Sequence, residues 1–229
     1  QAWQTTFLYV GLPGLLIVLA LAFCREPLRQ GISSKPSLPA LFSFLREQNR
    51  IFWAITMGSS MFGIAAMGYI LWMPSVLIND FDWTASNAGY VYGGIMLLCS
   101  TSGSFAGGWM ADILISRGVR DGALKTMIWA MTASLPFAVL TPFMPTDLGV
   151  TLMLAAVSFC FGLVQPLPVA ALHAVTPNQF RGQITAFYFV FGTIIAQGLG
   201  PTMIAAFAEY GFGGEVKMGL ALAIVNAIL

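Results

Sequence analysis

The chain has 229 residues, of which 58% are hydrophobic and 8% charged, with a formal net charge of +1. A soluble domain carries about 25% charged residues, so this composition leaves too little polar surface to face water and excludes a soluble globular fold. The balanced charge gives no basis for a nucleic-acid partner.

Uncharged stretches end in turn at Arg25, Asp80, Asp112, Asp147, Arg181 and Glu209. Each is long enough to cross the hydrocarbon core, which takes about 20 apolar residues of helix. The stretches are continuous rather than alternating, which selects helix over strand in a solvent that cannot satisfy the backbone. Spans are predicted at 7–24, 52–78, 86–115, 124–144, 148–174 and 183–208, with a seventh beginning near Lys217. The fold class is an all-α membrane protein, a six-helix transmembrane bundle with one helix before it.

Residues 1–24 lack a starting methionine, a basic flank and a small-residue cleavage site, and read as an internal start rather than a signal peptide. Residues 25–51 form the longest connection, in which Leu38, Leu41, Phe42 and Leu45 recur at helical spacing before Arg46, as in an amphipathic helix lying on the membrane interface. Residues 52–229 make up the bundle, its last helix cut short. The three cysteines, Cys24, Cys99 and Cys160, are widely spaced inside or at the end of apolar runs, which suits packing rather than metal or disulfide chemistry.

Every Lys and Arg except Lys217 falls on alternate connections: Arg25, Arg29, Lys35, Arg46 and Arg50; then Arg117, Arg120 and Lys125; then Arg181. The positive-inside rule makes these loops cytoplasmic and places Asp80, Asp82, Asp147, Glu209 and Glu215 outside.

No charged residue lies at the midpoint of a complete span, so a proton relay or ion site is not expected here. The candidates for solute contact are neutral. Met61, Ala65, Tyr69 and Trp72 share one face of the second span; Gln165 lies in the middle third of the fifth; Gln197 is near the centre of the sixth, with Thr193 one turn before it. A glutamine in hydrocarbon needs a partner, either another helix or a water-filled cavity. Glycines at four-residue spacing, Gly89 with Gly93 and Gly103 with Gly107, and the series Gly192, Ala196 and Gly200, allow close helix approach, while Pro166, Pro168 and Pro201 introduce kinks. His173 at the inner end of the fifth span reads as an interfacial histidine, and Trp83, Tyr90 and Tyr92 as an aromatic belt.

Gly107-Gly108-Trp109-Met110-Ala111-Asp112, followed by Arg117-Gly118-Val119-Arg120, resembles the loop signature of the major facilitator superfamily, although Ile113 stands where the signature has its first basic residue. Pro177-Asn178-Gln179-Phe180-Arg181-Gly182-Gln183 resembles the superfamily's loop between helices ten and eleven. The resemblance covers almost the whole chain and implies helix six through part of helix twelve of a twelve-helix transporter. Tyr9-Val10-Gly11-Leu12-Pro13-Gly14, Arg25-Glu26-Pro27 and the run 181–201 are similar to the Spinster-like branch, which handles lysolipids and other amphiphiles.

The resemblance implies gating roles for Gly108, Asp112, Arg117, Arg181 and Gly182. A carboxylate at Asp112 can accept hydrogen bonds from the free N–H groups at the start of a neighbouring helix. That neighbour is implied to be helix five of an N-terminal six-helix half, and the start of the sixth span near Gly182 is implied to receive the matching aspartate. The competing reading is an ordinary charged helix end.

The expected function is a secondary active transporter moving a small amphipathic or organic-anion solute by alternating access. Its partners are the lipid bilayer, the N-terminal half and the solute; its location is the cell (inner or plasma) membrane; and it needs no cofactor or metal. The alternatives are an organic-anion or sugar-acid symporter of the same superfamily and a non-transporting membrane interaction protein. No H-E-x-x-H, G-x-S-x-G or paired carboxylate lies within a span, and the single histidine argues against an enzyme.

Overall fold

The computed structural model describes residues 2–23, 38–210 and 218–228. Cys24, the Arg25-Glu26-Pro27 motif, Arg29, Lys35, Glu215 and Lys217 lie outside the described residues. The chain divides into two compact units, residues 1–35 and 36–229. The described residues of the first include α1 (Ala2–Ala22), with Pro13 inside it.

The second unit opens with the predicted amphipathic helix, α2 (Leu38–Glu47), and passes through Gln48 into α3 (Asn49–Asn79). Leu41 is buried and Phe44 is half-buried against the bundle, whereas Phe42 is exposed. The docked face is therefore Leu41, Phe44 and Leu45, rotated slightly from the one the spacing suggests.

The next span is a single rod with a defect: α4 (Ala85–Ile95), one π-helical turn (Met96–Ser100) and α5 (Thr101–Ser116). Thr84 caps it by accepting from the Asn87 N–H at 3.2 Å, an N-cap bond that satisfies one otherwise free donor. After α6 (Gly122–Leu140) and a short 3-10 turn, Thr146 caps α7 (Asp147–Val164) in the same way through the Gly149 N–H at 3.1 Å.

The fifth predicted span is not one helix. It breaks at Gln165 and Pro166, and α8 (Leu167–Val175) follows. The cause is Pro166, which has no N–H to give the Gly162 carbonyl four residues earlier. That oxygen instead accepts from the Gln165 N–H at 3.1 Å and, across the helix pair, shares the Ser104 hydroxyl proton, at 3.2 Å, with the Ser100 carbonyl at 3.1 Å. Pro201, by contrast, sits within the unbroken α9 (Arg181–Tyr210). The last element is α10 (Met218–Ile228).

Four helical segments are both long and apolar enough to cross a membrane: Arg50–Asn79, Gly122–Phe143, Asp147–Val175 and Asn178–Tyr210. Residues 85–116 have the length, but six glycines and a run of hydroxyls from Ser100 to Ser104 lower their apolarity. Leu97, Leu98, Phe105 and Trp109 on that same rod are 68 to 77% exposed, more apolar surface than a protein in water tolerates in one place.

Glycines set the helix spacing. A Cβ on Gly103 would strike the Phe159 carbonyl, one on Gly107 the Leu163 carbonyl, and one on Gly162 the Ser100 carbonyl, so α5 and α7 meet backbone to backbone. α3 and α9 run in the same direction and close in similarly, through Gly63 against Ala196 and Gly200 against the Ile64 carbonyl. Gly89 and Gly93 meet nothing within 4 Å among the described residues. α10 lies against α3, α6 and α9.

Two apolar clusters fill the bundle. One gathers Tyr69, Met73, Leu77, Tyr92, Leu154 and Leu222; the other, nearer α2, gathers Leu41, Phe52, Ile55, Met127, Leu167 and Ile184; Phe62 touches both. Trp83 and Tyr92 belong to the first cluster, so of the expected aromatic belt only Tyr90 is exposed. Trp83 Nε1 donates to Asp147 Oδ1 at 2.9 Å, and the Gly219 N–H at the start of α10 donates to Asp80 Oδ2 at 3.2 Å.

Candidate functional site

A cavity of about 190 Å³ opens between α3, the π turn, the α7–α8 corner and α9. Its polar lining is Ser59 and Ser60 from α3, Ser100 from the π turn, Gln165 from the corner, and Tyr188, Thr193 and Gln197 from α9. Phe62, Phe161 and Phe189 supply apolar walls, and no charged residue lines it. Small-molecule sites usually enclose roughly 300–1,000 Å³, and this cavity is smaller than that range.

The hydrogen-bonding roles are unequal. Ser59 Oγ donates to the Ile55 carbonyl at 2.7 Å and Ser60 Oγ to the Thr56 carbonyl at 2.6 Å, so both protons are used within α3 and the oxygens face the cavity as acceptors. The carboxamides of Gln165 and Gln197 have no hydrogen-bond partner among the described residues and are exposed to the cavity. Gln165 reaches it because the helix breaks beside it, and Gln197 because α9 turns Thr193 and Gln197, four residues apart, to the same side.

Three of the five residues expected to contact solute, Gln165, Thr193 and Gln197, thus come together. Tyr69 and Trp72 do not join them. Tyr69 is buried, with its hydroxyl donating to the Ala138 carbonyl at 3.4 Å and its ring edge-on to Phe161 at 5.8 Å. Trp72 Nε1 donates to the Pro201 carbonyl at 3.0 Å, which ties α3 to α9. The cavity face of α3 instead runs through Ser59, Gly63, Met67 and Ile70, and adjacent serines in an otherwise apolar span were the signal for it.

The residues expected to gate form two groups. Gly108 and Asp112 line a groove of about 300 Å³ between α5, α6 and α8, with Arg120 and Asp121 also on its lining and Ala170, Ala171 and Ala174 in its wall. Asp121 pairs with Lys125 at 3.4 Å, whereas Asp112 is exposed and has no ion pair among the described residues. Arg117 ends α5, its N–H donating to the Ile113 carbonyl at 3.1 Å, and Gly118 then takes φ +86°, a left-handed conformation that suits glycine. Arg181 and Gly182 are the first two residues of α9, just after the α8–α9 connection. Arg181 Nε donates to the Thr176 carbonyl at 3.2 Å, closing that turn, while Gly182 has open space around it. His173 Nε2 hydrogen-bonds Thr185 Oγ1 at 2.7 Å, joining α8 to α9.

The comparisons with known proteins bear on this arrangement. No curated protein matches the chain. Among solved structures, the crystal structure of a bacterial homolog to the human lysosomal transporter Spinster, in an inward-facing and unoccupied conformation, superposes with a TM-score of 0.63 at 20% identity. The match covers 100% of this chain and 54% of that one, so the chain spans about half the length of that structure. The sequence model of the Major Facilitator Superfamily matches residues 2–201. With its helices, loop signatures and family match in agreement, this membrane-embedded chain belongs to the Major Facilitator Superfamily.

Proposed function

We propose that the chain is the C-terminal half of a secondary active transporter that moves a small amphipathic or organic-anion solute by alternating access, with Gln165, Thr193 and Gln197 as this half's solute contacts. The observation that carries the reading is the pair of unpartnered carboxamides at mid-span facing a neutral cavity. A polar group left bare in hydrocarbon is costly, so each glutamine calls for a polar partner from outside the bundle. A solute exchanged between the two sides of the membrane supplies that partner, and rocking of this bundle against an N-terminal six-helix half exposes the cavity to each side in turn.

With no charge in the lining, this half selects by shape and hydrogen bonding. Serine oxygens at Ser59 and Ser60 accept, the carboxamides do both, and the phenylalanine walls take apolar portions of the solute. Tyr69 and Trp72 act one layer behind, holding α3 in register. Losing one hydrogen bond weakens binding by roughly 0.5–1.5 kcal/mol, up to about tenfold in affinity. In the full-length transporter reconstituted in liposomes and titrated with a panel of amphipathic and organic-anion solutes, Gln165→Ala and Gln197→Ala are therefore expected to raise the half-saturating concentration. The amount of folded protein should change little. Loss of folded protein with normal affinity in the survivors would make the glutamines helix-to-helix contacts instead.

The same reading places the loops carrying Arg46 and Arg50, Arg117 to Lys125, and Arg181 in the cytoplasm of a cell whose inner or plasma membrane holds the protein. In a cysteine-free full-length protein, single cysteines at Arg120 and Gln179, both exposed, should resist impermeant thiol reagents in intact cells, and one at Glu209 should react. The reverse pattern would invert the topology. Glu209 is a better outer probe than Asp147, whose carboxylate holds Trp83.

A further inference from the structure

α2 is pinned to the bundle on one side. Leu41 is fully buried and Phe44 stacks on Phe180 at 5.5 Å. Where α2 passes into α3, Arg46, Glu47, Gln48, Arg50 and Ile51 line a shallow recess. Arg46 and Arg50 are exposed and neither has an ion pair among the described residues. Ile51 is 41% exposed, and Ala54 and Met61, also exposed, continue its face along a helix that enters the membrane. Two guanidinium groups beside an apolar strip, on a chain embedded in lipid, match an amphiphile with a negative head.

We propose that the recess at the α2–α3 junction binds the head group of an anionic phospholipid from the adjoining leaflet, with Arg46 and Arg50 on its phosphate and its acyl chains along Ile51, Ala54 and Met61. Guanidinium groups bind phosphate through paired, charge-assisted hydrogen bonds, and the Gln48 carboxamide adds a neutral donor at the same level. Glu47 shares the recess and opposes the anion. The apolar face favours a lipid over free phosphate, because a soluble anion gains nothing from Ile51, Ala54 and Met61.

The test is lipid retention by the full-length protein, read by native mass spectrometry during titration with phosphatidylglycerol or phosphatidylcholine. Wild type should prefer phosphatidylglycerol. Each basic residue near a membrane surface is worth about 1 kcal/mol, or about fivefold, so Arg46→Gln with Arg50→Gln should cut retention by roughly 25-fold, to the level of phosphatidylcholine. Arg46→Lys with Arg50→Lys should keep most of the preference. Glu47→Gln, which leaves both arginines in place, should strengthen it. Equal retention of the two lipids by wild type, or an unchanged preference in the glutamine pair, would overturn the proposal. So would complete displacement by inorganic phosphate at ionic strength matched with chloride, which would assign the recess to a soluble anion.

Discussion

Gly107→Ala is expected to destabilise the bundle by about 1–3 kcal/mol, the usual cost of forcing extra volume into a packed interior, and Gly103→Ala by a similar amount. In both cases the added Cβ meets a backbone carbonyl of α7 rather than a side chain that can rotate away. The two helices must therefore separate along their length, which also strains the Ser104 to Gly162 contact. Gly93→Ala provides the comparison on the same rod: nothing lies within 4 Å of its new methyl group among the described residues, and alanine favours helix over glycine by roughly 0.5–1 kcal/mol. Thermal unfolding of the purified protein in detergent should rank the three variants in that order. A Gly107→Ala protein as stable as wild type would mean that α5 and α7 do not touch through their backbones.

Asp112→Asn should abolish most transport while leaving expression and solute affinity close to wild type. The substitution keeps the shape and removes the charge. Within this chain Asp112 is exposed, borders a groove walled by small residues, and lacks an ion pair among the described residues, so its charge does little for the stability of the bundle itself. A carboxylate in that position gains from the free N–H groups and positive dipole at the start of a helix brought against it. A charge that matters in one state and not in the other shifts the balance between them, and its loss should appear in the transport rate rather than in the binding constant. Liposome uptake measured beside solute binding separates the two, and wild-type uptake would reduce Asp112 to a solvated helix end.

Much of this fold was legible in the sequence because charge is so rare. Asp80 follows the last residue of α3, Asp112 lies in the last turns of α5, and Asp147 and Arg181 open α7 and α9. The break at Pro166 was announced by the proline, but proline alone does not separate a kink from a stop: Pro201 and Pro166 look alike in the sequence, and only Pro166 divides a span. Glycine spacing was similarly ambiguous, since the pair Gly103 and Gly107 contacts α7 while Gly89 and Gly93 contact nothing described. For the cavity, the mid-span glutamines and Thr193 were readable because polar groups in hydrocarbon stand out. Tyr69 was not, because a tyrosine hydroxyl can be satisfied by a distant carbonyl such as that of Ala138, a contact that no local pattern encodes.

The corner at Gln165 has a consequence for motion. In most helices a proline leaves the carbonyl four residues earlier bare, and in a bilayer a bare carbonyl costs several kcal/mol. Here the oxygen of Gly162 keeps the Gln165 N–H from its own chain, and Ser104 Oγ on the adjacent helix lies 3.2 Å away, its one proton shared with the Ser100 carbonyl at 3.1 Å. Any change in the angle between α7 and α8 that leaves the Gln165 N–H in place therefore keeps the Gly162 oxygen satisfied, so the proline corner does not bare this carbonyl to oil.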